Sequence, residues 1–164
     1  MLKKDIAILS GPIRSGKSSA LLKWCKGKTD VYGILTPIEN GKRVFMDIST
    51  GEKFPMEAEE NEPLKIKIGN YNFSLMAFSK AVQIITNALR QSRGWLVIDE
   101  IGPLELSGKG FDEILREILE PEKAPLKLIL VVRDNLLDQV IQHYHLHDHN
   151  LADANLSEGN DALL

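Results

Sequence analysis

Residues 11–18 read Gly-Pro-Ile-Arg-Ser-Gly-Lys-Ser, a G-x-x-x-x-G-K-S run set between the apolar stretch Ile6-Ala7-Ile8-Leu9 and the helix-compatible stretch Ser18 to Trp24. That order commits the chain to a strand, a tight glycine loop and a helix in succession, and nothing else in the sequence constrains the fold as strongly. Gly11 and Gly16 allow the backbone to wrap with its N–H groups turned inward, and the following helix offers its positive N-terminal end. The segment predicts a phosphate cradle formed by Gly11, Pro12, Ile13, Arg14, Ser15, Gly16, Lys17, Ser18 and Ser19. Lys17 is placed to reach β- and γ-phosphates, and the Ser18 hydroxyl to ligate Mg²⁺. An ordinary glycine-rich turn is the bland alternative, and the strand and helix on either side argue against it.

A chain of 164 residues with 43% hydrophobic and 26% charged residues fits one soluble globular domain over 1–164. The formal charge of −3 gives no electrostatic reason to expect nucleic acid or an anionic membrane as partner. Lys3 and Lys4 precede an apolar run too short for a signal peptide, and no run is long enough to span a bilayer. The single cysteine, Cys25, forbids an intrachain disulfide or a multi-cysteine zinc site, which points to a reducing, cytoplasmic setting.

Strand-like runs occur at Ile6–Leu9, Val31–Thr36, Val44–Ile48, Leu64–Ile68, Trp95–Ile98 and Leu126–Val132. Helical periodicity joins Ala77, Ala81, Ile84, Ile85, Ala88 and Leu89, then Phe111, Ile114, Leu115, Ile118 and Leu119, and more briefly Leu136, Leu137, Val140 and Ile141. The runs at 95–98 and 126–132 are apolar without alternation, as in strands buried on both faces of a parallel sheet. Alternation with helices predicts an α/β domain with right-handed crossovers. Turn signals at Asn40-Gly41, Thr50-Gly51 and Gly69-Asn70 mark residues 31–75 as inserted antiparallel hairpins. The tail at 157–164 is expected to be loose.

Trp95-Leu96-Val97-Ile98-Asp99-Glu100 is a buried strand ending in two acids, the form of a Walker B element. Asp99 would hold the Mg²⁺ with Ser18, and Glu100 would polarise a water lined up on the γ-phosphorus. The plainer reading of the acids is a polar strand end capping a turn, and the phosphate loop disfavours it.

The run Asp-Glu-Ile-Gly-Pro-Leu-Glu-Leu at 99–106 resembles the DEIG-x-x-E-L signature of the nucleoside-triphosphatase family of the cancer-related or thermophilic type. Residues 33–47, and Ile68-Gly69-Asn70-Tyr71 followed by Phe78, are similar to two further segments of that family, so the likeness covers roughly residues 5 to 140. The resemblance implies a phosphate-loop, RecA-like three-layer sandwich with a mostly parallel central sheet. It also implies Mg²⁺-dependent hydrolysis of nucleoside triphosphates (ATP, GTP and others) to diphosphates, with little base selectivity. Carried over by position, nucleotide contacts fall on Gly11 to Ser18 and on Val97, Ile98, Asp99, Glu100, Ile101 and Gly102, with Lys17 and Glu100 in the hydrolytic positions. The family's loop usually has glycine where Arg14 stands, which leaves Arg14 facing solvent or lying over the phosphates. Its C-terminal Asn-Arg pair is Asn155-Leu156 here.

Phosphoryl transfer needs positive charge at the γ-phosphate beyond lysine and metal, and Arg14, Arg43 and Arg133 are the candidates. Arg133 leads, because strand carboxyl ends converge on the ligand crevice of open α/β sheets. A solvated charge ahead of a helix capped by Asp134 or Asn135 is its bland reading. His143, His145, His147 and His149 alternate and could share one side of an extended segment, but without carboxylate or cysteine spacing an exposed polar stretch is favoured over a metal site. Trp24, Trp95, Tyr71 and Phe73 sit in apolar runs that point to core packing rather than base stacking. Two alternatives to a hydrolase stay open. One is a nucleoside or nucleotide kinase, suggested by a similar loop in type II thymidine kinases, although one cysteine cannot build their four-cysteine zinc lasso. The other is a nucleotide-switched module that binds a protein partner.

Overall fold

The apolar stretch before the glycine loop forms β1 (Ile6–Gly11), and the chain leaves it through the loop into α1 (Lys17–Cys25). The computed structural model describes residues 5–91, 93–120 and 127–152; the expected loose tail at 157–164 and the Asn155-Leu156 pair lie outside the described residues. Three further parallel strands follow in the order of the sequence: β2 (Val31–Leu35), then, beyond the insertion and numbered in chain order with it, β8 (Trp95–Ile101) and β9 (Lys127–Arg133). The short β10 (Asn150–Ala152) completes the set, and the spatial order is β10-β1-β9-β8-β2.

The insertion supplies the numbers between. It comprises β3 (Ile38–Glu39), β4 (Lys42–Asp47), β5 (Lys53–Pro55), and a separate two-stranded ribbon of β6 (Lys65–Ile68) and β7 (Tyr71–Ser74). β4 runs antiparallel beside β2 and, in the same register, beside its continuation β3, and carries β5 on its other side. The three expected turns each join a hairpin, and Asn40 (φ 49°) with Gly41 (φ 77°) has the left-handed backbone of a two-residue loop. Val31–Leu35 pairs antiparallel with β4, as the expected hairpin requires, and on its other edge parallel with β8, so it belongs to the central sheet as well. Its residues 31 and 33–35 are buried, as a strand covered on both faces requires.

The direction of each crossover assigns the helices to layers. From β1 the chain passes two strands to reach β2, and every later parallel connection steps back the other way. Right-handed crossovers then put α1 on one face and α2 (Leu75–Ala88), α4 (Asp112–Leu119) and α5 (Leu137–Tyr144) on the other, with the single-turn α3 (Pro103–Leu106) leading into α4. The core is divided accordingly. Ala7, Leu9, Val97, Ile129 and Val131 pack with Leu21 of α1. Ile8, Leu96, Ile98, Leu128 and Leu130 pack against Phe78, Ala81 and Ile85 of α2, Ile114, Leu115 and Ile118 of α4, and Val140 and Tyr144 of α5. Period-two alternation thus serves two apolar layers, which is why these strands read as unbroken hydrophobic runs.

Two contacts hold the insertion in place. Gly33 (φ 114°) lets β2 approach β8 so closely that a Cβ there would lie 2.1 Å from the Val97 carbonyl oxygen. Phe45 of β4 sits edge-on to Phe78 at 5.0 Å and to Phe111 at 5.9 Å between ring centres. Each such pair adds about 0.5–1.5 kcal/mol beyond its buried area. The insertion is thereby seated over the carboxyl ends of the parallel strands. No described helix is long and apolar enough to cross a membrane.

Candidate active site

Adjacent strands β1 and β9 send their outgoing loops in opposite directions, which opens a crevice between them at their carboxyl ends. Gly11 pairs with Arg133 across this point, so the glycine loop and Arg133 face each other by register alone. Gly16 caps α1 in the left-handed region (φ 81°). Arg14 is left-handed as well (φ 58°), and its side chain is exposed. The loop's wrap requires that backbone whatever the side chain, and a non-glycine residue there carries strain of roughly 1–2 kcal/mol. Lys17 is buried. Its Nζ donates to the carbonyls of Gly11 at 3.1 Å and Pro12 at 2.7 Å and reaches Ser15 Oγ at 3.4 Å. Burial lowers its pKa below that of an ordinary lysine, against the attraction of Glu100 and Asp99.

The acidic pair stands opposite the loop. Asp99 pairs with Val131, and Ile101 with Val132, so Glu100 is the extra residue of a bulge, and the Asp99–Glu100 peptide is cis. Bulges of this kind re-aim side chains beside functional sites. Ladder pairing resumes beyond the bulge, so the strand expected to end in the two acids runs one residue further, to Ile101. Asp99 is fully buried; its Oδ2 accepts from Ser18 Oγ at 2.5 Å and from the Thr36 N–H at 2.9 Å. Its Oδ1 is buried with no hydrogen-bond partner. A buried carboxylate oxygen left unpartnered beside a serine hydroxyl is an oxygen donor set suited to a hard divalent cation such as Mg²⁺.

Glu100 is held by both flanking arginines. Arg133 Nε lies 2.7 Å from Oε1, a charge contact whose N–H is not aimed along a hydrogen bond, and Arg43 Nη1 lies 3.8 Å from Oε2. Arg43 also donates to Thr36 Oγ1 at 3.3 Å, which ties the inserted hairpin to the acids. Behind them, buried Glu105 accepts from the Gly102 N–H at 2.8 Å and the Phe111 N–H at 3.0 Å, fixing the turn after the bulge. Burial pushes its pKa up to about 7 against the pull of these two bonds.

Comparisons with known proteins identify the family. Residues 6–160 match a protein-family model described as NTPase. The chain belongs to that NTPase family. It is 35% identical over 124 residues to a nucleoside-triphosphatase THEP1 of Saccharolobus solfataricus, covering 70% of this chain and 69% of the relative. Similarity to the protein of the same name from Thermotoga petrophila is 29% over 105 residues, covering 62% and 58% of the two chains. Among solved structures, THEP1 from Aquifex aeolicus superposes with a TM-score of 0.71 at 18% identity, over 96% of this chain and 94% of that one. A human cancer-related nucleoside triphosphatase superposes with a TM-score of 0.65 at 21% identity, over 96% and 91%. These last two establish a common fold, the α/β phosphate-loop arrangement with a mostly parallel sheet.

Within this NTPase fold the expected site residues divide by position. Lys17, Ser18, Asp99, Glu100, Arg43 and Arg133 converge, with Arg14 and Ile13 on the loop's exposed outer edge. Val97, Ile98 and Ile101 are buried in the sheet's two apolar layers, so their side chains support the site from beneath. Thr36 and Glu105 were assigned no role from the sequence. Thr36 ends a strand at the crevice, and Glu105 stands three residues after Gly102, a spacing at which a glutamate can reach back to the amide that opens a helix. The histidines do not line one extended strand. His143 ends α5 against Arg116 Nη2 at 2.8 Å, and His145 turns left-handed after it. No group of three or more metal-ligating side chains occurs among the described residues. Trp24 and Trp95 pack edge-on to each other at 5.9 Å, but Tyr71, on the same face of the ribbon as Phe73, is 60% exposed rather than core because it stands at the ribbon's end.

Proposed function

We propose that the protein hydrolyses nucleoside triphosphates to diphosphate and inorganic phosphate, with Mg²⁺ held by Ser18 and Asp99 and with Glu100 positioning the attacking water. The observation that carries this reading is the placement of Glu100, bracketed by Arg43 and Arg133 at the mouth of a loop whose lysine is already buried. When bound, the cation would neutralise charge on the terminal phosphates. The chain's own residues do the rest. The loop holds the triphosphate, Lys17 reaches its β- and γ-groups, and Glu100 orients a water and takes its proton as the oxygen attacks phosphorus. Arg43 and Arg133 supply positive charge where the transition state spreads negative charge. Low base selectivity fits a site whose assembled side chains all address phosphate and cation.

Phosphate release from ATP and GTP in magnesium buffer, compared between wild type and Glu100→Gln, tests the reading. Removing a general base typically slows turnover by about 10²–10⁴-fold. Binding of a fluorescent nucleotide should survive the substitution. Equal phosphate release by the two proteins refutes the role given to Glu100.

A further inference from the structure

Beside Glu100 opens a cavity of about 460 Å³, bounded by the phosphate loop, the β3–β4 hairpin, the β6–β7 ribbon and the turn into α3. Hydrolysis alone does not call for it, since a water occupies roughly 30 Å³ of the liquid. The volume falls in the range of small-molecule sites, roughly 300–1,000 Å³. Its interior is apolar and aromatic, with Phe73, Phe78, Phe111, Met56 and Leu104 on its walls. At its mouth stand Ile13, Ile38 and Tyr71, which are 57%, 55% and 60% exposed. Apolar side chains left in water around a concave opening are the mark of a ligand's entrance.

The polar groups constrain the occupant further. Lys42 faces Glu57 at 3.1 Å, and Arg43 and Arg133 both face Glu100. Lys42 thus has its own carboxylate, Arg43 and Arg133 share one, and a fourth cation, Arg14, stands on the exposed loop at the edge; it is the apolar, aromatic interior that suits an uncharged molecule. Tyr71 lies nearly parallel to Phe73, at 5.9 Å and 4° between planes, and its other face is open to receive a ring. Arg43, Glu100 and Arg133 line the cavity as well as the crevice opposite the phosphate loop.

We propose that this cavity is the site of a second substrate, a neutral ring-bearing alcohol no larger than a nucleoside, which accepts the γ-phosphoryl group in place of water. The inference rests on the nucleoside-triphosphate reading above. In the step, the alcohol oxygen forms a bond to the γ-phosphorus while the bond from that phosphorus to the β–γ bridging oxygen breaks. The hydroxyl proton passes to the Glu100 carboxylate, and the electron pair of the broken bond leaves on the nucleoside diphosphate. The product is a phosphomonoester, and hydrolysis is the same reaction with water as acceptor.

The test incubates the full chain with ATP and magnesium, alone and with adenosine, guanosine, cytidine, uridine or benzyl alcohol, and follows phosphorus NMR for a phosphomonoester and inorganic phosphate. At least one alcohol should yield a phosphomonoester with a matching rise in ADP. Tyr71→Ala should lower that transfer about tenfold or more, as expected for loss of a ring stack, while phosphate release from ATP alone is unchanged. Phosphate release with no phosphomonoester from any of the five alcohols overturns the acceptor site and leaves the hydrolase standing. So does transfer that Tyr71→Ala leaves untouched. Failure to release phosphate from ATP alone, with no transfer either, refutes the underlying reading instead.

Discussion

Glu105→Gln isolates one buried charge. Glu105 is 3% exposed and its pKa is pushed up to about 7 from an ordinary 4.5, chiefly by burial. The folded protein therefore holds this proton more tightly than the unfolded chain, and between these two values folding takes up a proton. Stability contributed here is complete below pH 4.5 and falls as pH rises toward 7. Two to three units at 1.36 kcal/mol each amount to about 3 kcal/mol. Glutamine mimics the protonated acid and does not titrate. Urea unfolding of wild type and Glu105→Gln at pH 5, 6, 7 and 8, followed by the fluorescence of Trp24 and Trp95, gives the difference with all other titrations cancelled. The variant should gain about 2.5 kcal/mol on the wild type between pH 5 and 8, about 2 kcal/mol of it below pH 7. A difference constant within about 0.5 kcal/mol would mean that the Gly102 and Phe111 N–H groups fully offset burial, and the reasoning fails.

Gly33→Ala forces a Cβ to 2.1 Å from the Val97 carbonyl oxygen in a left-handed backbone, so it should part β2 from β8 and cost on the order of 4 kcal/mol or more; soluble yield and a thermal melt read it. Arg14→Gly relieves a left-handed arginine at φ 58°, less the extra chain entropy of glycine, for a gain of about 1 kcal/mol and a Tm rise of about 2–4 °C. An unchanged or lower Tm would show that the loop is not strained at that residue.

Local chemistry and hydrophobic period carried much of this architecture into the sequence. The unbroken apolar runs of β8 and β9 announced strands covered on both faces, and Asn40-Gly41 announced a hairpin, because each signal is confined to a few neighbouring residues. The acids and the loop were recognisable by residue type, yet their meeting depends on strand order, which no short stretch encodes. Val31–Leu35 shows this: its hairpin pairing with β4 was legible from Asn40-Gly41, but its second, parallel pairing with β8 was not. Thr36 and Glu105 escaped notice because a backbone amide and a buried cap leave no compositional trace. The cavity likewise arises from segments spread between Ile13 and Arg133 and has no linear signature.

Strand β9 acts as a yardstick for the whole catalytic face. On one edge it sets Gly11 level with Arg133, and on the other it sets Asp99 level with Val131. Its side chains can drift among aliphatic types of similar bulk with little consequence for the chemistry. Its length cannot. An insertion or deletion of a single residue within it would swing the guanidinium to the opposite side of the sheet and put the two halves of the centre out of step. A change of length in the hairpins, by contrast, would reshape the cavity wall without moving Gly11 or Asp99 against β9.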